Sequence, residues 1–315
     1  MKNKKIKTRV FDYGIVIFLI VLIFIFSVTS KYFFTFNNIT NIIRQISIVG
    51  ISTVAMTMVI LTGGIDLSVG AMLALSSVLL AKMMTSGVSM YLAIPITLII
   101  GIVMGLFNGF LINKIKISPL ISTLGTMTIY RGLTYIATSG LPIYGFPQGF
   151  SFIGQGYIGK IPVPVFILIG VYIIGFIILY MTNFGVHVYG VGGSEKASLL
   201  SGVKVDLLKY KVYAISGFLA ALAGVVSLSR INSALPNTGT GFELDVVTAV
   251  VLGGISVNGG VGKLSGVIIG CLIIGILSNG MILLNIGEYY QMVVKGVVLL
   301  VAVGIDNYTK NNSLR

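Results

Sequence analysis

Apolar residues fill this chain in runs of about twenty, and short stretches between the runs hold most of its polar side chains. Runs such as 13–28, 92–112, 163–181 and 266–284 reach the ~18–20 residues a helix needs to cross a bilayer. Ten passes can be placed, at about 11–30, 42–61, 65–84, 91–112, 118–138, 163–181, 210–229, 244–259, 263–284 and 289–305. The pattern predicts an all-α integral membrane protein of about ten transmembrane helices, some of them broken. A single polytopic transmembrane domain covers 1–315. The eighth pass is short and glycine-rich, and reads as half-buried rather than as a full span.

An echo runs along the chain. Gly63-Gly64-Ile65 recurs as Gly253-Gly254-Ile255 after similar apolar runs, and GLFNGFLIN (105–113) is echoed by GILSNGMILLN (275–285). The copies lie an odd number of passes apart, which would invert one against the other. Inverted repeats are a common build of transport proteins, with the pathway at the repeat interface.

Composition agrees: 56% of residues are hydrophobic and 9% charged, with mean hydropathy +1.04. A soluble domain is roughly a quarter charged. The net charge of +13 is not the footprint of a nucleic-acid binder, because the cations sit in short segments between passes and form no stripe interleaved with aromatics. With the N-terminus inside, Lys2, Lys4, Lys5, Lys7, Arg9, Lys114, Lys116, Lys196, Lys204, Lys209, Lys211, Lys263, Lys310 and Arg315 fall on the cytoplasmic side. That is fourteen of the twenty-one cations, so both termini are expected in the cytoplasm, with a tail of about 1–10. The basic start MKNKKIKTRV looks like a secretory signal, but the apolar stretch after it is long and lacks an A-x-A-like site, so a retained first helix is expected. The single cysteine, Cys271, lies in an apolar run and permits no internal disulfide.

Chemistry is sparse. In TGGIDLSVG (62–70), Gly63 and Gly64 offer a helix break, and Asp66 or Ser68 can cap the helix that follows. A carboxylate at membrane depth is costly and usually points inward, so Asp66 is either a cap at a packing junction or part of a gate or path. Gly101, Gly105 and Gly109, like Gly266 and Gly270, repeat every four residues, the spacing of close helix packing. Asn108 and Asn279 beside them are interhelical glue or hydrogen-bonding groups for a hydroxylated solute. Arg131 can snorkel to the outer end of the fifth pass, or pair with Asp66, Glu243 or Asp245. Glu243 and Asp245 open the eighth pass, where acids suit a helix start. Thr123, Thr126 and Gln291 complete the uncharged polar groups that a neutral path would use.

No enzyme site is legible. VNGGVGKLSG (257–266) looks like a phosphate loop, but Val257 stands where its first glycine is needed and Leu264 follows Lys263. One histidine and one cysteine do not make a metal site, and no cofactor is implied. The longest polar segment, 182–209, falls inside. Within it Ser194 reads as the N-cap and Gly202 as the stop of a short helix with an apolar face of Ala197, Leu199 and Leu200, which suits lipid headgroups or a partner's groove.

These stretches resemble one family, the permease subunits of ATP-binding-cassette sugar importers of the ribose type. The similarity is carried by TGGIDLSVG, SPLISTLGTMTIYRG (118–132), TNFGVHVYGVGGSEKASLLSGVKV (182–205), SALPNTGTGFELDVVTAVVLGGISVNGG (233–260) and NGMILLNIGEYYQMVVKGVVLLVAVGID (279–306). It implies a second permease copy, ATPase subunits on the cytoplasmic side, an extracytoplasmic sugar-binding protein and a bacterial plasma-membrane location. It also implies that Gly192, Gly193, Ser194, Glu195, Lys196, Ala197, Ser198, Leu199, Leu200, Ser201 and Gly202 form the coupling helix that docks on the ATPase. The family usually has Asn where Ser194 stands, and Ala where Ser198 stands. Gly63, Gly64, Asp66, Asn108, Thr123, Arg131, Glu243, Asp245, Asn279 and Gln291 are the candidates for the path or its gate, with ribose the leading solute. Other pentoses or hexoses, nucleosides, branched-chain amino acids, a stand-alone channel or an ion-coupled carrier are the alternatives, and a membrane enzyme is remote.

Overall fold

Ten helices of the chain's computed structural model coincide with the ten apolar passes; the structure describes residues 2–311, with side chains from 14 to 304. They are α1 (Lys2–Thr29), α2 (Phe36–Leu61), α3 (Val69–Thr85), α4 (Met90–Asn113), α5 (Pro119–Thr138), α7 (Val163–Tyr180), α10 (Val205–Ile231), α11 (Phe242–Leu252), α12 (Leu264–Leu283) and α13 (Glu288–Asn311). The others are short: α6 (Phe152–Gln155), α8 (Asn183–Gly193) and α9 (Glu195–Leu200), with a small hairpin of β1 (Tyr157–Ile158) and β2 (Ile161–Pro162). Among the described residues five helices, α2, α4, α7, α10 and α12, are long and apolar enough to cross a membrane, so the expected count of about ten is met in part. The side chains of the N-terminal tail and of Lys310 and Arg315 lie outside the described residues.

Burial sorts the helices. The apolar windows of α2 and α10 are mostly buried inside the chain, whereas those of α4 and α7 are mostly exposed. The fold is therefore built on a central α2–α10 pair, with α4 and α7 turned to the surroundings.

Small residues let the backbones touch. At the α4–α10 crossing a Cβ on Gly105 would lie 2.0 Å from the Tyr213 carbonyl oxygen, and one on Gly217 would lie 2.0 Å from that of Gly101. Gly266 and Gly270 do the same for α12 against α11, where added Cβ atoms would meet the Gly253 and Ala249 carbonyls at 2.2 and 1.9 Å. The four-residue glycine spacing thus reports close packing, as its periodicity suggests.

The sequence echo needs correcting. α2 ends because Gly63 takes φ 81°, and its N–H and that of Gly64 return to the carbonyls of Ile60 and Val59. α11 ends in the same way at Gly254 (φ 83°), with the N–H groups of Gly254 and Ile255 returning to Val251 and Val250. This paired return is the Schellman ending that left-handed glycine allows. It aligns Gly63 with Gly254, one residue away from the match read in the sequence. Nor is this pair inverted. α2 runs opposite to α12, with Ile46 beside Gly275 and Thr53 beside Cys271, and α11 runs opposite to α12 as well, with Gly253 beside Gly266 and Ala249 beside Gly270. α2 and α11 therefore point the same way. The second echo does join opposed helices: α4 and α2 both run against α10, so α4 opposes α12.

Candidate functional site

Asp66 is the one fully buried charged residue among those described. Its Oδ1 accepts from the Ser68 backbone N–H at 3.0 Å and from Ser68 Oγ at 2.6 Å, and its Oδ2 accepts from Ser216 Oγ at 2.7 Å. Asn108 Nδ2 donates to Ser68 Oγ at 2.8 Å and reaches Asp66 Oδ1 at 3.5 Å. Thr123 Oγ1 donates to the Ile65 carbonyl at 3.1 Å. The segment between α2 and α3 is thus knotted to α4 through Asn108, to α5 through Thr123 and to α10 through Ser216. The expected cap on α3 is not formed: Asp66 takes the Ser68 N–H in the turn ahead of the helix, and the Ser68 side chain makes no cap bond to α3. Gly64 is needed because Tyr213 crowds it, with its hydroxyl 2.7 Å from where a Cβ would sit.

The other candidates lie elsewhere. Arg131 forms none of the ion pairs with Asp66, Glu243 or Asp245 that the sequence allowed. Its Nη1 donates to the carbonyls of Pro236 and Thr238 at 3.2 and 2.6 Å, pinning the turn before α11. That turn in turn rests on α3, since Cβ atoms on Gly70 and Gly239 would each meet the other's carbonyl oxygen, at 2.4 and 2.5 Å. Glu243 presses one carboxylate oxygen over Gly70, and that oxygen has no hydrogen-bond partner. Asp245 pairs with Lys295 at 2.7 Å, tying α11 to α13. Lys295 was missed because it is a lone cation in an apolar run, with its acid fifty residues away. Gln291 donates to the Ile286 carbonyl at 2.8 Å, a local link at the start of α13.

Asn279 is paired face to face with Asn38: each amide nitrogen donates to the other's oxygen, at 3.0 and 2.9 Å. Asn38 was also missed, because it sits in FNNIT ahead of the apolar run placed at 42–61. Asn279→Leu is expected to lower the melting temperature in detergent by a few degrees. Interhelical hydrogen bonds in membranes are worth about 0.6 kcal/mol on average. The double change with Asn38→Leu should be milder than the single one, since it strands no buried amide.

The short helix expected between Ser194 and Gly202 is present as α9. Ser194 caps α9 by accepting the Ala197 N–H at 3.2 Å, and Gly202 takes φ 83° just past its end. α9 buries Ser198 and presents Leu199 and Leu200 outward, 63% and 89% exposed. Glu195 is held by Lys209 of α10 at 2.8 Å, so it braces α9 against its own chain. The preceding residues, read as loop, form α8. There Tyr189 Oη donates to the Gly262 carbonyl at 3.0 Å, and burial, above all, holds its phenol above the usual range.

The candidates therefore resolve into five places: the Asp66 knot, the Arg131–Glu243–Asp245 turn, the Asn38–Asn279 pair, Gln291 at the start of α13 and the α9 surface.

Comparison with known proteins gives the family. The chain is 49% identical over 290 residues to the ribose import permease protein RbsC of Bacillus subtilis (strain 168), covering 91% of this chain and 90% of that one. It is 43% identical over 293 residues to RbsC of Escherichia coli (strain K12), covering 92% and 91%. It is 40% identical over 297 residues to the D-allose transport system permease protein AlsC of the same strain, covering 93% and 91%. No solved structure matches it. The family model described as the permease component of the branched-chain amino acid transport system matches residues 38–303, and the chain belongs to that family of membrane permeases.

Proposed function

We propose that this chain is the membrane-spanning permease subunit of an ATP-driven, binding-protein-dependent importer of ribose in a bacterial plasma membrane. The observation that carries the reading is the exposed, capped α9, because a permease without an ATP site must take its work from outside. α9 offers two leucines to a groove on that motor. The ribose assignment rests on the relatives named for ribose import, while the family's own description brings branched-chain amino acids into the test panel.

In this reading a single permease domain fills the chain, ten helices cross or enter the membrane, and both termini are cytoplasmic. Two copies face each other, two ATPase subunits sit below them, and an extracytoplasmic binding protein delivers the sugar from above. The path lies between the copies. On α5, Thr123 and Thr126 are buried, and the small or hydroxyl residues Gly125, Thr128 and Gly132 lie on its exposed face among the large apolar side chains of Ile121, Leu124, Ile129, Leu133 and Ile136. The Asp66 knot keeps the broken α2–α3 segment in place behind that face. The Arg131 turn and Glu243 shape its outer gate, and membrane lipid covers the apolar faces of α4 and α7.

The test is docking. Leu199→Asp with Leu200→Asp puts two charges on the proposed contact without touching the Ser194 cap or the Glu195–Lys209 pair. Capture of the cognate ATPase on the tagged chain is expected to fall at least about tenfold, since buried leucines carry about 1.5–3 kcal/mol each. Undiminished capture by the folded variant would remove α9 from the interface.

A further inference from the structure

Three backbone segments that are distant in sequence meet beneath the Asp66 knot. The end of α8 supplies Gly192 and Gly193, just before α9. The end of α2 supplies Leu61–Gly63, and the turn between α11 and α12 supplies Gly259 and Gly260. The Gly260 N–H donates to the Leu61 carbonyl at 2.9 Å. A Cβ on Gly192 would lie 1.7 Å from that same carbonyl oxygen and 2.4 Å from the Gly260 nitrogen. A Cβ on Gly259 would lie 3.0 Å from the Gly63 nitrogen and 3.2 Å from the Gly192 Cα, and one on Gly260 would lie 2.7 Å from the Gly193 nitrogen. Side chains reinforce the meeting: Tyr189 donates to the Gly262 carbonyl at 3.0 Å, and Tyr180 accepts the Leu264 N–H at 2.9 Å.

We propose that Gly192, Gly259 and Gly260, held by Tyr189, form a backbone joint that carries movement of α9 into the ends of α2 and α11 and so into the α2–α3 break. The physical reason is stiffness. Main chain packed directly on main chain has no side-chain rotamers to absorb a displacement, so a shift of α8 must be shared by both partners. Close-packed interiors transmit strain in this way. α2 and α11 run parallel and both end in a left-handed glycine near this joint, so one push reaches two flexible corners. The Asp66 knot begins only three residues beyond Gly63. The joint residues are positioning residues, and the proposal rests on α9 being the element the ATPase moves.

The test uses the complete importer, with chain, cognate ATPase and binding protein reconstituted in liposomes, and reads D-ribose uptake and ATP hydrolysis together. In Gly260→Ala the new Cβ would lie 2.7 Å from the Gly193 nitrogen while α9 and the residues read as docking on the ATPase are untouched, so ATPase capture and hydrolysis should persist. Ribose imported per ATP should drop about tenfold, the upper range of coupling changes at residues touching neither ligand. Tyr189→Phe, which adds no bulk, should give a smaller loss of the same ratio. Gly170→Ala on α7, where a new Cβ meets nothing within 4 Å, is the unaffected control. An unchanged ratio in Gly260→Ala would overturn the joint.

Should that variant fail to fold, deuterium exchange on the wild-type importer decides. Trapping the ATP-bound state is expected to change exchange at 58–66, 186–194 and 257–263 together, and a change confined to 186–202 would overturn the joint. No protection of α9 by the ATPase in any state would instead overturn the coupling reading beneath it.

Discussion

Asp66→Leu is expected to leave little folded protein and no transport. The substitution removes the acceptor for the Ser68 N–H and for the hydroxyls of Ser68 and Ser216, and the longer contact from Asn108. A buried donor left unmet costs about 1–3 kcal/mol, and three or four of them take up much of the roughly 5–15 kcal/mol that holds an ordinary fold. Asp66→Asn is the informative partner. Its amide oxygen can still accept from Ser68, and its NH2 can donate to Ser216 Oγ, so most of the knot survives. Expression, melting temperature in detergent and ribose uptake should place the asparagine variant close to wild type and the leucine variant near zero. A leucine variant that folds and transports normally would show that the knot is dispensable.

The second large effect is expected at the α4–α10 crossing. Gly217→Val would drive a branched side chain into the Gly101 carbonyl, 2.0 Å from the new Cβ, and toward the Gly105 nitrogen at 2.8 Å. Overpacking against side chains costs about 1–3 kcal/mol. Here both obstacles are backbone, so the helices must part, and Ser216 next door would be pulled from Asp66. A fall in melting temperature of several degrees follows, since chains of roughly 150–250 residues lose about 2–4 °C per kcal/mol. Unaltered melting in Gly217→Val would mean that the two helices do not cross this closely.

These effects show what the sequence could and could not tell. The helix break at Gly63-Gly64 was legible because two adjacent glycines and an acid interrupt a long apolar run, and few local structures suit that pattern. The α9 cap was legible for the same kind of reason, with Ser194 and Gly202 bracketing a single short turn pattern. The kinship of Gly63 and Gly254 was visible too, but its register was one residue off, because Gly253 and Gly254 look alike in sequence and only backbone φ shows which one turns left-handed. The direction of that pair was misread because the odd count belongs to α4 and α12, the fourth and ninth passes, whereas α2 and α11 are the second and eighth, an even number apart, which already makes them parallel. α11 holds 11 residues, about 16 Å of helix at 1.5 Å per residue, too short for a hydrocarbon core of about 30 Å.

Long-range partners stayed hidden. Asn38 with Asn279, Asp245 with Lys295 and Gly192 with Gly260 are each separated by tens to hundreds of residues, and no local periodicity ties their ends together. Arg131 was placed near acids by its charge alone. The structure gives its Nη1 two carbonyl oxygens and leaves Glu243 as a nearby charge rather than an ion-pair partner. Among the described helices, α2 and α10 bury small and hydroxyl side chains together with large apolar ones, a mixture that hydropathy averages away.

The measurement that tests the central claim most directly is D-ribose uptake into liposomes holding the purified chain, with and without its cognate ATPase, binding protein and ATP. The account predicts accumulation only when all are present, and its loss in the Leu199→Asp, Leu200→Asp variant. Ribose movement by the chain alone, independent of ATP, would contradict it and make the protein a channel or carrier.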